Sequence, residues 1–170
     1  MENNKSITVI ENFLPDEVYN ECNDYSNNLL KNDDNIFTTN YMWDYNVRLD
    51  SNPVLVHSVT DIELISSIAN IVNSKFGRDI KIDVMFYYWT PGSHIPWHND
   101  STYNGGITIY LNETWNNNHG GIFLFEDGTN NIRGIYPKKN TAVEQFGNVY
   151  HCVCPTTNQS DIRRTIQIFF

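Results

Sequence analysis

No run of about 18 apolar residues occurs anywhere in the chain, so no segment reads as a membrane-spanning helix. Residues 1–10 are polar and acidic rather than basic and then greasy, which is not the pattern of a secretory signal. Cysteine is scarce and odd in number: Cys22, Cys152 and Cys154 cannot pair off completely. These absences predict a reduced, intracellular, cytoplasmic chain with no membrane partner. Basic residues are also few, with 11 Lys and Arg against 20 Asp and Glu and a net charge of −9. The field of such a chain repels a phosphate backbone, which argues against a nucleic-acid partner. No internal repeat, proline-rich tract or Gly/Ser linker divides the sequence, so one domain is expected over residues 1–170.

What is present is a foldable composition. Hydrophobic residues make up 40% and aromatics 14%, enough for a packed core and too much for a disordered chain. Asparagine is over-used, a turn residue whose abundance leans toward β-structure with polar connections. Residues 6–13 read as a short first strand, and Pro15-Asp16-Glu17 opens a helix to about Leu30 with Val18, Cys22 and Tyr25 inward. A second helix is signalled by a capping box of Thr60 and Glu63, with Ile62, Ile65, Ala69 and Val72 at helical spacing. Leu64, Ile68 and Ile71 widen that face, and Gly77 marks the exit. From Ile80 the period changes to two: Ile82, Val84, Phe86 and Tyr88 share one face and Lys81, Asp83, Met85 and Tyr87 the other. Further strands are predicted at 106–112, 122–125, 141–146, 149–154 and 163–170, separated by Gly, Asn and Pro turns. Two helices followed by many short strands predict an α+β fold, a sandwich or barrel of strands backed by helices.

The chemistry centres on His98-Asn99-Asp100. On extended backbone, residues two apart point the same way, so His98 and Asp100 can converge on one ion. Imidazole plus carboxylate suits Fe(II), and two His with one carboxylate leave coordination positions open. The third ligand must come from elsewhere, and His151 on a later strand is the candidate. Taken alone His-x-Asp is a common tripeptide, and His98 could simply be bonded within a loop. A zinc grip by His94 and His98 on a helix is opposed by Pro91, Gly92 and Pro96. His57 and His119 lie in polar surroundings and read as solvated. Cys152 and Cys154 beside His151 read as buried reduced thiols rather than metal ligands.

The segment Tyr88-Trp89-Thr90-Pro91-Gly92-Ser93-His94-Ile95-Pro96-Trp97-His98-Asn99-Asp100 resembles the metal-binding stretch of 2-oxoglutarate/Fe(II)-dependent dioxygenases, in particular the prolyl 4-hydroxylase-like branch. The resemblance continues through residues 107–112 and 120–125, then His151-Cys152-Val153-Cys154-Pro155, and closes on Arg163-Arg164-Thr165-Ile166-Gln167-Ile168-Phe169-Phe170. It implies a double-stranded β-helix (jelly-roll) core over about 80–170, backed by helical support over about 1–79. It also implies Fe(II) on His98, Asp100 and His151, with 2-oxoglutarate and O2 as co-substrates and ascorbate as an optional reductant. Arg163 matches the position that holds the far carboxylate of 2-oxoglutarate, and Tyr88 and Tyr110 match tyrosines that assist it. Strand alternation alone does not choose between Arg163 and Arg164, and either tyrosine could be a core aromatic.

The expected activity is therefore hydroxylation coupled to decarboxylation of 2-oxoglutarate to succinate and CO2. The resemblance points to a peptidyl proline within a peptide or protein substrate. Tyr41, Trp43, Tyr45 and Arg48 would then form a substrate wall, although the same aromatic stretch could be a loop packed on the body. A free amino acid or small metabolite is the alternative substrate, and a non-catalytic metal- or ligand-binding jelly-roll the alternative of another class. A nucleic-acid demethylase is disfavoured by the acidity and by the absence of a later arginine on the last strand.

Overall fold

The computed structural model describes residues 6–31, 38–39, 51–77, 79–100, 103–129, 131–146 and 149–170. The chain opens with strand β1 (Ser6–Glu11), helix α1 (Asp16–Lys31), the two-residue β2 (Thr38–Thr39), β3 (Val54–Ser58) and helix α2 (Ile62–Phe76). Eight strands follow: β4 (Asp83–Trp89), β5 (Ile95–His98), β6 (Gly105–Tyr110), β7 (Phe123–Glu126), β8 (Ile132–Ile135), β9 (Thr141–Phe146), β10 (His151–Val153) and β11 (Arg163–Phe169). They form a seven-stranded sheet in the order β1-β9-β6-β11-β4-β3-β2 and a four-stranded sheet in the order β5-β10-β7-β8. Every pairing is antiparallel. Among the described residues, two α-helices against two antiparallel sheets make the α+β, jelly-roll-like architecture that the sequence predicts.

Two apolar layers lie on opposite faces of the wide sheet. Val84, Phe86 and Tyr88 from β4, with Ile166 and Ile168 from β11, pack on Cys22 of α1 and on Leu64, Ile68 and Val72 of α2. Tyr87 and Trp89, with Tyr110 and Val143, face the narrow sheet and meet Ile95, Phe123, Phe125 and Val153. The period-two pattern of β4 thus divides as expected, and the inter-sheet layer is where polar residues collect: Arg163, Thr165 and Gln167 of β11 are all buried.

Local chemistry explains the differences from expectation. The cap of α2 is Asp61 rather than Thr60: its carboxylate accepts from the amides of Glu63 and Leu64. The helix therefore starts one residue later, and Ile62 is 79% exposed in its first turn instead of facing the core. In α1 the buried stripe is Tyr19, Cys22 and Ser26, with Val18 and Tyr25 only half-buried. Gly77 closes α2 at φ 63°, a left-handed conformation that favours glycine. Strands β2, β3, β5 and β8 are additional to the expected set. Pro96 makes β5 unlike a strand in sequence, and it is tolerated because β5 is a sheet edge. The edge strand β8 is exposed at Ile132, Arg133 and Gly134 and so shows no alternation to read.

Candidate metal centre and its cavity

The first ligand pair is built by strand pairing. His98 ends β5 and His151 begins β10, and the two are direct cross-strand partners. Their ring centroids lie 4.3 Å apart. Asp100 follows two residues after His98 and turns its carboxylate toward both rings, 3.7 Å from each Nε2. The three donor atoms fall within 4.8 Å of one another, and they are the one such group of His, Cys, Asp or Glu found among the described residues.

Hydrogen bonding fixes which nitrogen faces the centre. His98 Nδ1 lies 2.8 Å from the Pro96 carbonyl and His151 Nδ1 2.9 Å from the Val149 carbonyl. A carbonyl can only accept, so each Nδ1 carries a proton, and in the neutral ring that leaves the Nε2 lone pair for a cation. Burial lowers the His151 pKa, and neighbouring His98 adds to the effect while Asp100 opposes it. A neutral imidazole is the form that ligates. Two neutral imidazoles and one carboxylate, with no thiolate, fit Fe(II) and leave positions for further ligands.

Cys152 and Cys154 stand outside the group, and burial pushes the Cys152 thiol up to about 11, so it is not a ready thiolate. The helical His94–His98 zinc grip does not form, because His98 lies on a strand. His57 and His119 are half-buried rather than fully solvated, beside Tyr25 and Trp115 respectively.

The triad opens into a cavity walled by Tyr87, Trp89, Ile95, Phe123, Val153 and Phe169, with Arg163 also on its lining. Arg163 is wholly buried and faces no carboxylate among the described residues; its three guanidinium nitrogens make no well-formed hydrogen bond there, and the Tyr110 hydroxyl is the polar group that interacts with it. Its Cζ lies 4.7 Å from the Trp89 ring centroid and 5.1 Å from that of Tyr110. Burial lowers its pKa, an effect that Tyr110 offsets. An uncompensated buried cation costs several kcal/mol, so this guanidinium is placed to receive an anion from the cavity. Space for it comes from Gly121, where a Cβ would sit 3.1 Å from Arg163 Cδ.

Arg164 points the other way, its Nη1 donating to Asn27 Oδ1 of α1 at 2.7 Å. Of the two tyrosines, Tyr110 lies beside Arg163, and its buried hydroxyl interacts with that guanidinium and has no other hydrogen-bond partner among the described residues. Tyr88 is a correction: it belongs to the helix-facing layer and donates to the Ser26 carbonyl at 3.0 Å. Its neighbour Tyr87 lines the cavity instead, because one step along a strand reverses the face. Thr108, Gln145 and Gln167 also line it and were given no role by sequence reasoning. Tyr41, Trp43, Tyr45 and Arg48 lie outside the described residues.

Comparison with known proteins agrees with this fold. The fold is similar to that of a Pseudomonas putida prolyl-4-hydroxylase, with a TM-score of 0.76 at 15% identity over 98% of this chain and 92% of that one. A Trichoplax adhaerens prolyl hydroxylase, solved with a hypoxia inducible factor oxygen degradation domain peptide fragment, gives 0.79 at 19% identity over 96% and 82%. AviO1 from Streptomyces viridochromogenes Tue57 gives 0.69 at 13% identity over 97% and 89%. No curated protein sequence matches. Residues 83–170, just over half the chain and including all three ligands, match the 2OG-Fe(II) oxygenase superfamily. The chain belongs to that superfamily.

Proposed function

We propose that the protein is a 2-oxoglutarate- and O2-dependent hydroxylase acting on a peptidyl proline. The observation that carries the co-substrate part is Arg163, a buried guanidinium with no anionic partner among the described residues, on the wall of the cavity that holds the metal ligands. In this reading its planar fork takes the far carboxylate of 2-oxoglutarate through two parallel hydrogen bonds. The Tyr110 hydroxyl beside it, with no other partner among the described residues, completes the anchor. His98, Asp100 and His151 hold Fe(II), which supplies the redox chemistry: one oxygen atom of O2 enters a C–H bond and the other enters succinate, with release of CO2. The apolar wall of Trp89, Ile95, Phe123 and Val153 excludes bulk water from the reacting groups.

For the substrate, the aromatic character of the cavity favours a proline ring. Phe169 lines it and stacks on Tyr103 at 4.5 Å, and flat aromatic faces suit proline-containing strands. Similarity in fold to two prolyl hydroxylases supports the same reading. The test is mass spectrometry of a proline-peptide library after incubation with protein, Fe(II), 2-oxoglutarate and O2. The expected result is a mass gain of one oxygen located on proline. Turnover of 2-oxoglutarate with no modified peptide would overturn the peptidyl-proline assignment and point to a free amino acid or small metabolite.

A further inference from the structure

Each metal ligand has a partner that fixes its orientation, and the partners are of two kinds. Both histidines are locked locally, through Nδ1, by the carbonyl two residues earlier in the chain. Asp100 lies beyond the end of β5, with no strand pairing of its own. Its carboxylate is tethered instead from the opposite sheet: Gln145 Nε2 of β9 donates to Asp100 Oδ2 across 45 positions of sequence. Because an ionised carboxylate can only accept, the amide NH2 rather than the amide oxygen must face it. Gln145 is itself buried, and its cross-strand partner on β6 is Gly106, which brings no side chain to the space between the sheets.

We propose that Gln145 is a positioning residue for the metal centre, engaging Asp100 Oδ2 so that the carboxylate offers the cation one oxygen only. A carboxylate with both oxygens free can chelate, and it would then consume a further coordination position. A triad that must leave room for a bidentate keto acid and for O2 needs that position open. Partners of this kind that orient a ligand typically change metal affinity by about 10- to 100-fold when removed.

The inference rests on the triad binding a divalent metal, and the experiment separates the two. Anaerobic titration with Co(II), followed by its d–d absorption, gives both affinity and coordination geometry. Wild-type protein is expected to bind one equivalent. Gln145→Leu and Gln145→Met, which keep the bulk and lose the donor, are expected to bind about 10- to 100-fold more weakly with an altered d–d spectrum. A melting temperature that falls while affinity and spectrum match wild type would overturn the proposal and leave Gln145 a packing residue. Failure of wild-type protein to bind Co(II) would instead overturn the metal site itself. Should neither variant fold, the Gln145 side-chain amide in the wild-type Zn(II) form decides the matter by NMR. Slowed solvent exchange of its protons is expected, and exchange as fast as a free glutamine amide contradicts the tether.

Discussion

Asp100→Ala is expected to reduce Fe(II)-dependent decarboxylation of 2-oxoglutarate to background, with a fold that survives. Asp100 supplies the only anionic oxygen of the triad, and its removal leaves two neutral imidazoles to hold a dication. Loss of the hard donor and of the charge together weakens binding far more than the loss of an orienting partner, itself about 10- to 100-fold. The fold is expected to persist because Asp100 is in no strand and its side chain is 21% exposed at the cavity mouth. Water can take the hydrogen bond that Gln145 gives up. Release of labelled CO2 measures the loss, and circular dichroism checks the fold. Turnover near the wild-type rate would show that the iron sits elsewhere.

Arg163→Met is expected to raise stability and destroy co-substrate use together. The guanidinium is desolvated, has no anionic partner among the described residues and is enclosed between Trp89 and Tyr110. Replacing buried charged groups by an apolar side chain of similar volume has stabilised other folds by about 1–4 kcal/mol. At roughly 2–4 °C per kcal/mol for a chain of this size, several degrees in Tm are expected without ligand. The same change removes two charge-assisted hydrogen bonds, each about 1.5–3 kcal/mol, so the KM for 2-oxoglutarate should rise by about 100-fold or more. A strained functional group that lowers stability is the usual signature of a site. A lower Tm with an unchanged KM would mean that Arg163 is structural and that the acid is held elsewhere.

These two residues also show how far the sequence reaches. His98 and Asp100 were legible because extended backbone puts residues two apart on one face, and β5 does run into that tripeptide. His151 was legible as a candidate third ligand on a later strand, and the resemblance strengthened it, but nothing local ties it to the strand 53 positions earlier that it pairs with. Strands buried on both faces are where reading failed. In β11 and β4 both alternating sets are apolar or buried, so alternation defines two faces without saying which one looks between the sheets. That ambiguity left Arg163 against Arg164 open and placed Tyr88 at the cavity, where Tyr87 lies. Gln145 had no signal at all: an amide on a strand reads as surface until the sheet that covers it is known.

The most direct test of the whole account is anaerobic absorption spectroscopy of the protein titrated with Fe(II) in the presence of 2-oxoglutarate. The account requires a weak visible metal-to-ligand charge-transfer band that saturates at one iron per chain and is absent in His151→Ala. A featureless spectrum for the folded wild-type protein, or an identical band in His151→Ala, would contradict it.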